Sequence, residues 1–307
     1  MTQPDSRNDA VPHAGPDAGP DAAHDPAPDA APDAAPAAAP GRMHAEALRG
    51  RVAVVTGAGS GIGRALALRF AAAGARVAAA DIELAAAEAV AAETGGRAFR
   101  VDVSSLASVE QLAAGVEAAL GPVEVLASNA GVASTAPLER MTDADWDWLL
   151  GVNLYGAVHT VGAFLPQLRR TRGRILVTGS MAGLAPDPGM GGYGVTKVAL
   201  TAYTVVLAAE LEPDGIGVTL LAPGPGRTRL GSSSRNRAGD APGAGLLDGD
   251  LSAGDGGGLP WHDPRDVAEV AVEALIEGRR YAITHPEWAH LVTARHRAIE
   301  SAFDSAR

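Results

Sequence analysis

The chain has no cysteine among its 307 residues. Disulfides, thiolate metal sites and cysteine nucleophiles are therefore excluded together, and stability must come from packing. That absence is compatible with a reducing compartment, and a cytoplasmic protein is the expectation. There is no basic excess either: the formal charge is -11, which argues against a nucleic-acid binder with its basic face or stripe. No uninterrupted apolar run reaches the roughly 18 residues of a spanning helix, and no basic-then-apolar leader opens the sequence. Neither a membrane partner nor a secretion signal is expected.

What is present begins with a contrast in texture. Residues 1–42 are almost wholly Ala, Pro, Asp and Gly, with Asp17, Asp21, Asp25, Asp29 and Asp33 on a four-residue beat. Proline at that density removes helix donors, and too little apolar surface is available to offset chain entropy. A disordered, semi-extended tail is expected, with Met43 able to open the folded domain. With seven Asp and two Arg the tail carries -5, so about -6 remains for residues 43–307, an ordinary balance for a soluble domain. At 47% hydrophobic residues the chain can bury a sizeable core.

From Arg51 onward, short β-branched runs alternate with alanine-rich stretches of ten or more residues. Strands are expected at 52–55, 76–80, 98–101, 123–127, 174–178, 217–221 and 281–284. Helices are expected at 61–73, 83–93, 105–120, 143–170 with a break near Gly151, 192–211, 264–277 and 287–303. This alternation implies a single α/β domain, a doubly wound parallel sheet covered on both faces. Residues 224–258 break the rhythm with 11 glycines in 35 positions, and read as a flexible substrate loop.

Between the first strand and first helix stands Thr56-Gly57-Ala58-Gly59-Ser60-Gly61-Ile62-Gly63. Glycines there permit a tight turn and a close backbone approach, and present amides at the positive end of a helix to a pyrophosphate. Asp81 ends the second strand, 18 residues beyond Gly63. Such a carboxylate accepts from ribose hydroxyls and repels a 2'-phosphate, so NAD is favoured over NADP, with Arg64 and Arg76 near enough in sequence to matter. A third constellation runs from Ser180 to Tyr193 and Lys197. A phenol and an ammonium four apart share one helix face and can build a proton-transfer site. A unit charge about 4 Å away contributes roughly 4 kcal/mol at an effective dielectric of 20, enough to lower a phenol pKa by up to roughly 3.

Together these motifs resemble the short-chain dehydrogenase/reductase family, over about residues 47–285. The resemblance rests on Thr56 to Gly63, Asp102, Asn129-Ala130-Gly131, Asn153, Ser180, Tyr193, Lys197, and Pro223-Gly224 with Thr228, all in order. It implies a Rossmann-like oxidoreductase that moves a hydride between NAD(H) and a secondary alcohol or ketone, with Tyr193 as general acid and base. Ser180 would bind the substrate oxygen, and Lys197 would bind the nicotinamide ribose. Asn153 would hold a water that links Lys197 to solvent. Asp102 and Val103 would meet the adenine, Asn129 to Gly131 the adenosine side, and Thr228 the carboxamide. A homotetramer or homodimer through the 143–170 and 192–211 helices is implied as well. Ser128, Gly179 and Gly226 depart from the family's usual residues, and the end of the last strand lacks its usual glycine-rich sequence.

Met181, Leu184 and Met190 are expected to line an apolar pocket for a small-molecule substrate. His285, Glu287 and His290 are spaced too loosely for a metal site, and Ser180 is not in a nucleophile elbow, since Thr178 occupies the first glycine position. A dinucleotide-binding regulatory module without turnover is the alternative function.

Overall fold

The computed structural model describes residues 47–134, 136–237 and 261–305. The expected disordered tail at 1–42 and positions 238–258 of the expected substrate loop lie outside the described residues.

Seven strands form one sheet: β1 (Val52–Thr56), β2 (Arg76–Asp81), β3 (Arg97–Arg100), β4 (Val125–Ser128), β5 (Arg174–Thr178), β6 (Gly217–Ala222) and β7 (Tyr281–Ile283). Their order is β3-β2-β1-β4-β5-β6-β7, and every pairing is parallel. The helices are α1 (Gly61–Ala72), α2 (Leu84–Thr94), α3 (Leu106–Leu120), α4 (Asp143–Leu150), α5 (Gly156–Thr171), α6 (Met181–Leu184), α7 (Gly191–Leu211), α8 (Pro264–Glu277) and α9 (Ala289–Asp304).

All five residues of β1 are buried, because successive side chains feed two different cores. Ala53 and Val55 join Leu66 and Phe70 of α1 and Val272 and Leu275 of α8 on one face. Val52 and Val54 join Leu112 of α3, Phe164 of α5 and Leu207 of α7 on the other. The helices at 143–171 and 191–211 are long and apolar enough to cross a membrane, but Phe164, Leu168, Leu200 and Leu207 spend that apolarity on the sheet. The chain first winds outward from β1 to β3 and then returns to β4. The carboxyl ends of β1 and β4 therefore frame the crevice in which such sheets bind ligands.

Two local departures matter for the site. The expected break near Gly151 is instead a π-helical turn, Gly151–Tyr155, with Gly156 N–H donating to Gly151 C=O, so α4 and α5 form one rod. The extra residue of that turn carries Asn153, and π-turns of this kind recur at functional positions. The short helix α6 follows β5 directly, with Ser180 as its N-cap.

Phe70 is fully buried between α1 and the sheet. Phe70→Ala is expected to cost about 3–5 kcal/mol in urea denaturation; a loss under about 1 kcal/mol would show that this face is not close-packed.

Candidate active site

The glycine turn has the geometry its sequence implies. Gly57 and Gly61 have φ of +67° and +52°, left-handed conformations that favour glycine. A Cβ on Gly63 would lie 2.0 Å from Gly57 O, so α1 can approach β1 only without one. Ser60 caps α1 without a side-chain bond, which leaves first-turn amides turned toward the pocket for an anion.

A chain of hydrogen bonds joins this turn to the proposed proton-transfer pair. Thr56 Oγ1 accepts from the amides of Asn129 (3.0 Å) and Ala130 (3.2 Å). Asn129 Nδ2 donates to Thr56 O at 3.0 Å, and its Oδ1 accepts from Thr178 Oγ1 at 3.0 Å. Thr178 C=O in turn accepts from Lys197 Nζ at 2.9 Å. Asn129 thus ties three strand ends together.

Ser180, Tyr193 and Lys197 converge, as their spacing predicts. Ser180 Oγ accepts from Ala182 N–H at 3.1 Å, the cap of α6, and also shares a hydrogen bond with the Tyr193 phenol. Lys197 Nζ lies 5.7 Å from the Tyr193 ring centroid. All three side chains are buried. Burial pulls the Lys197 ammonium down to about 8 from its ordinary 10.5. Burial also pushes the Tyr193 phenol above its ordinary value, with the Ser180 hydrogen bond working in the opposite direction. In the protein alone, desolvation therefore outweighs the Ser180 hydrogen bond.

Asn153 is placed by the π-turn, and its side chain bridges two elements. Its Oδ1 accepts from Val132 N–H at 2.8 Å, and its Nδ2 donates to Val132 O (2.9 Å) and Thr196 Oγ1 (3.0 Å). Both amide hydrogens are therefore used in fastening the loop after β4 to α7. Gly131 keeps open the space between Asn153 Oδ1 and Lys197 Nζ, since a Cβ there would stand 3.4 and 3.6 Å from them.

Of the remaining expected cofactor residues, Gly57, Ser60, Gly61, Ile62, Gly63, Asp81, Asp102, Val103, Asn129, Ala130, Gly131, Pro223 and Thr228 line one continuous pocket with Tyr193 and Lys197. Asp81 Oδ2 accepts from Gly59 N–H at 2.8 Å and its Oδ1 from Glu83 N–H at 2.9 Å, which fixes the carboxylate at the pocket wall. Thr56 and Asn153 support this pocket from behind.

Residues 51–239 match the family model described as short chain dehydrogenase. The chain belongs to the short-chain dehydrogenase family. Its relatives include a D-threitol dehydrogenase of Mycolicibacterium smegmatis, 38% identical over 64% of this chain and 76% of the relative. Another is a 3-oxoacyl-acyl-carrier-protein reductase of Escherichia coli, 34% identical over 57% of this chain and 73% of the relative. A short-chain dehydrogenase/reductase from Burkholderia phymatum, solved in complex with NAD, superposes with a TM-score of 0.77 at 34% identity. That match covers 83% of this chain and 96% of the other.

Three expectations within this dehydrogenase are corrected. Gly224 lies off the pocket: its amide donates to Thr284 Oγ1 (3.3 Å) and His285 Nδ1 (3.2 Å), and a Cβ would strike the His285 ring at 2.6 Å. Of the three apolar residues expected around the substrate, Met190 packs with Tyr193, Ala133, Ala182 and Leu230, whereas Leu184 and the fully buried Met181 are not in that cluster. The histidine to consider beside His285 and Glu287 is His262, not His290, with ligand atoms within 4.8 Å of one another. The His262 and His285 rings lie 4.0 Å apart at a 33° tilt, with His285 Nδ1 accepting from Gly224 N–H, so the pair packs the segment before α8 against the one after β7.

Sequence reasoning missed Glu83, Trp148, Arg229, Arg235 and Asn236, which also line the pocket. Only tertiary contacts bring them there.

The depressed Lys197 value has a stability consequence. Holding this ammonium charged in the fold costs up to about 3 kcal/mol. The cost is full below pH about 8 and disappears as pH rises to 10.5. Lys197→Met, of similar volume without charge, is expected to raise the melting temperature at pH 7 and to lower kcat at least about 100-fold. A melting temperature unchanged at pH 7 would contradict the buried-charge account.

Proposed function

We propose that this enzyme interconverts a secondary alcohol and its ketone with NAD(H), with Tyr193 exchanging the substrate proton. The observation that carries this reading is that Tyr193, hydrogen-bonded to Ser180, lines with Lys197 the same pocket as the glycine turn and Asp81. The residues fit a dinucleotide: the cradle at Gly63 admits no side chain, and helix-start amides face the pyrophosphate position. The bound nicotinamide supplies the hydride acceptor or donor.

The protein's own part is geometry and charge. The Ser180 hydroxyl bonds the substrate oxygen and holds it against the Tyr193 phenol. Tyr193 returns its proton to a ketone oxygen in reduction, and removes one from the alcohol in oxidation. Lys197, anchored on Thr178 O, keeps a positive charge behind the phenol and would hold the nicotinamide ribose.

Preference for NAD over NADP is supported by the Asp81 and Glu83 carboxylates, which would face a 2'-phosphate. Arg64 pairs with Glu93 and Arg76 Nε donates to Gly50 O, while Arg235, which does line the pocket, is paired with Glu83. An apolar substrate is supported by the Ala133, Ala182, Met190 and Leu230 side chains that pack around Tyr193. A homotetramer or homodimer through α4, α5 and α7 is supported by exposed Tyr155, Val158, Val205 and Val206. A cytoplasmic location accords with the lack of cysteine.

A panel of secondary alcohols with NAD or NADP is expected to give growth of reduced-nicotinamide absorbance with NAD first. Tyr193→Phe should lower kcat by about 100-fold or more, within the range for general acid-base catalysis. Asp81→Ala should narrow the NAD preference. Tight NAD binding without turnover on any alcohol would favour the regulatory module instead.

A further inference from the structure

Residues 228–237 cross the mouth of this pocket as a short helical strap held down by contacts of unequal strength, among them a hydrogen bond between Asn236 and Glu83. Thr228 packs on Gly61 of the glycine turn, where a Cβ would stand 3.1 Å from Thr228 Cβ. Buried Ser233 accepts from Ala133 N–H at 3.0 Å and donates to Ala133 O at 3.3 Å, on the β4 side. Arg235 Nε donates to Glu83 Oε1 at 3.0 Å, on the β2 side, while its Nη1 holds Ser232 O at 2.8 Å. Arg237 Nη1 donates to Asp145 Oδ1 at 2.7 Å and its guanidinium lies 5.6 Å from the Trp148 ring.

The two ion pairs differ in kind. Asp145 is completely buried and the Arg237 side chain is only 12% exposed. Burial works to raise the Asp145 carboxyl, but the Thr142 amide and Arg237 outweigh it and hold the group below its ordinary value. Removing one partner of such a pair is expensive. Arg235 and Glu83 are 29% and 38% exposed, where water screens an ion pair to a small contribution. The strap is therefore anchored at Arg237 and lightly fastened at Arg235. The light fastening does not sit over Tyr193: Glu83 follows Asp81 by two residues, so it lies at the ribose end of the pocket.

Resting on the cofactor reading above, we propose that Arg235 and Glu83 form a latch that retains the bound dinucleotide at its ribose end. Cofactor exchange opens this latch, and the strap pivots on the Arg237–Asp145 anchor. Arg235 is thus a positioning residue acting through Glu83, and substrate access at the Tyr193 end leaves the latch closed.

Stopped-flow displacement of NADH, followed by its fluorescence, tests this on the full chain. Glu83→Gln and Arg235→Gln are each expected to speed NADH release about two- to fivefold, the range of an exposed ion pair, with the association rate little changed. In the unaltered enzyme, release should quicken between low and high salt; in either variant this salt response should be smaller. The charge-swapped double variant, Glu83→Arg with Arg235→Glu, should return release toward the original rate. Release rates that match in all four proteins would overturn the latch, and so would faster release that the double variant fails to reverse. An unaltered enzyme that binds no NADH would overturn the cofactor reading itself, whereas normal binding with unchanged release overturns the latch alone.

Discussion

A single buried ammonium governs the arrangement of this site. Lys197 is placed behind the sheet edge with its Nζ against Thr178 O, an environment that favours the neutral amine. The fold keeps the ammonium there by surrounding it with groups that are themselves fixed. Thr178 is bonded to Asn129, and Asn129 to Thr56 and the turn that follows. The positions of the anion-binding turn and of the proton-transfer pair are consequently coupled through three side chains and three strand ends. A slip of β4 against β1 would move both ends of the pocket at once.

The phenol beside this ammonium is hard to ionise in the protein alone. Burial raises Tyr193 above its ordinary value, and Lys197, 5.7 Å from the ring, does not reverse this. A phenol held this way would need further positive charge to accept a proton near neutral pH, and a bound oxidised nicotinamide would supply it. Ser180 contributes to both halves of the site, as the cap of α6 and as the hydrogen-bond partner of the phenol.

Much of this was legible in the sequence because it is local or periodic. The alternation of β-branched runs and alanine-rich stretches predicts the parallel sheet, and its element positions agree to within a residue or two for most strands. The turn at Gly57 to Gly63 is specified by steric demands that only glycine meets. Tyr193 and Lys197 are placed by helical geometry alone. What escaped the sequence is held by distant partners: Arg235 finds Glu83 across 152 positions, and Ser233 finds Ala133 across 100. Gly224 looked like a pocket residue, yet its need for glycine comes from the His285 ring, 61 positions later. The π-turn at Gly151 was visible only as an interruption, because one glycine marks a helix break and a bulge alike.

The most direct test of the account is the titration of the Tyr193 phenol with and without NAD. Ultraviolet difference spectra of the enzyme against Tyr193→Phe isolate this phenol from Tyr155, Tyr203 and Tyr281. The account predicts a midpoint above 10 in the free protein, and a fall of at least about one unit when NAD saturates the site. An equal midpoint in the two states, or a free phenol already ionising near neutral pH, would contradict it.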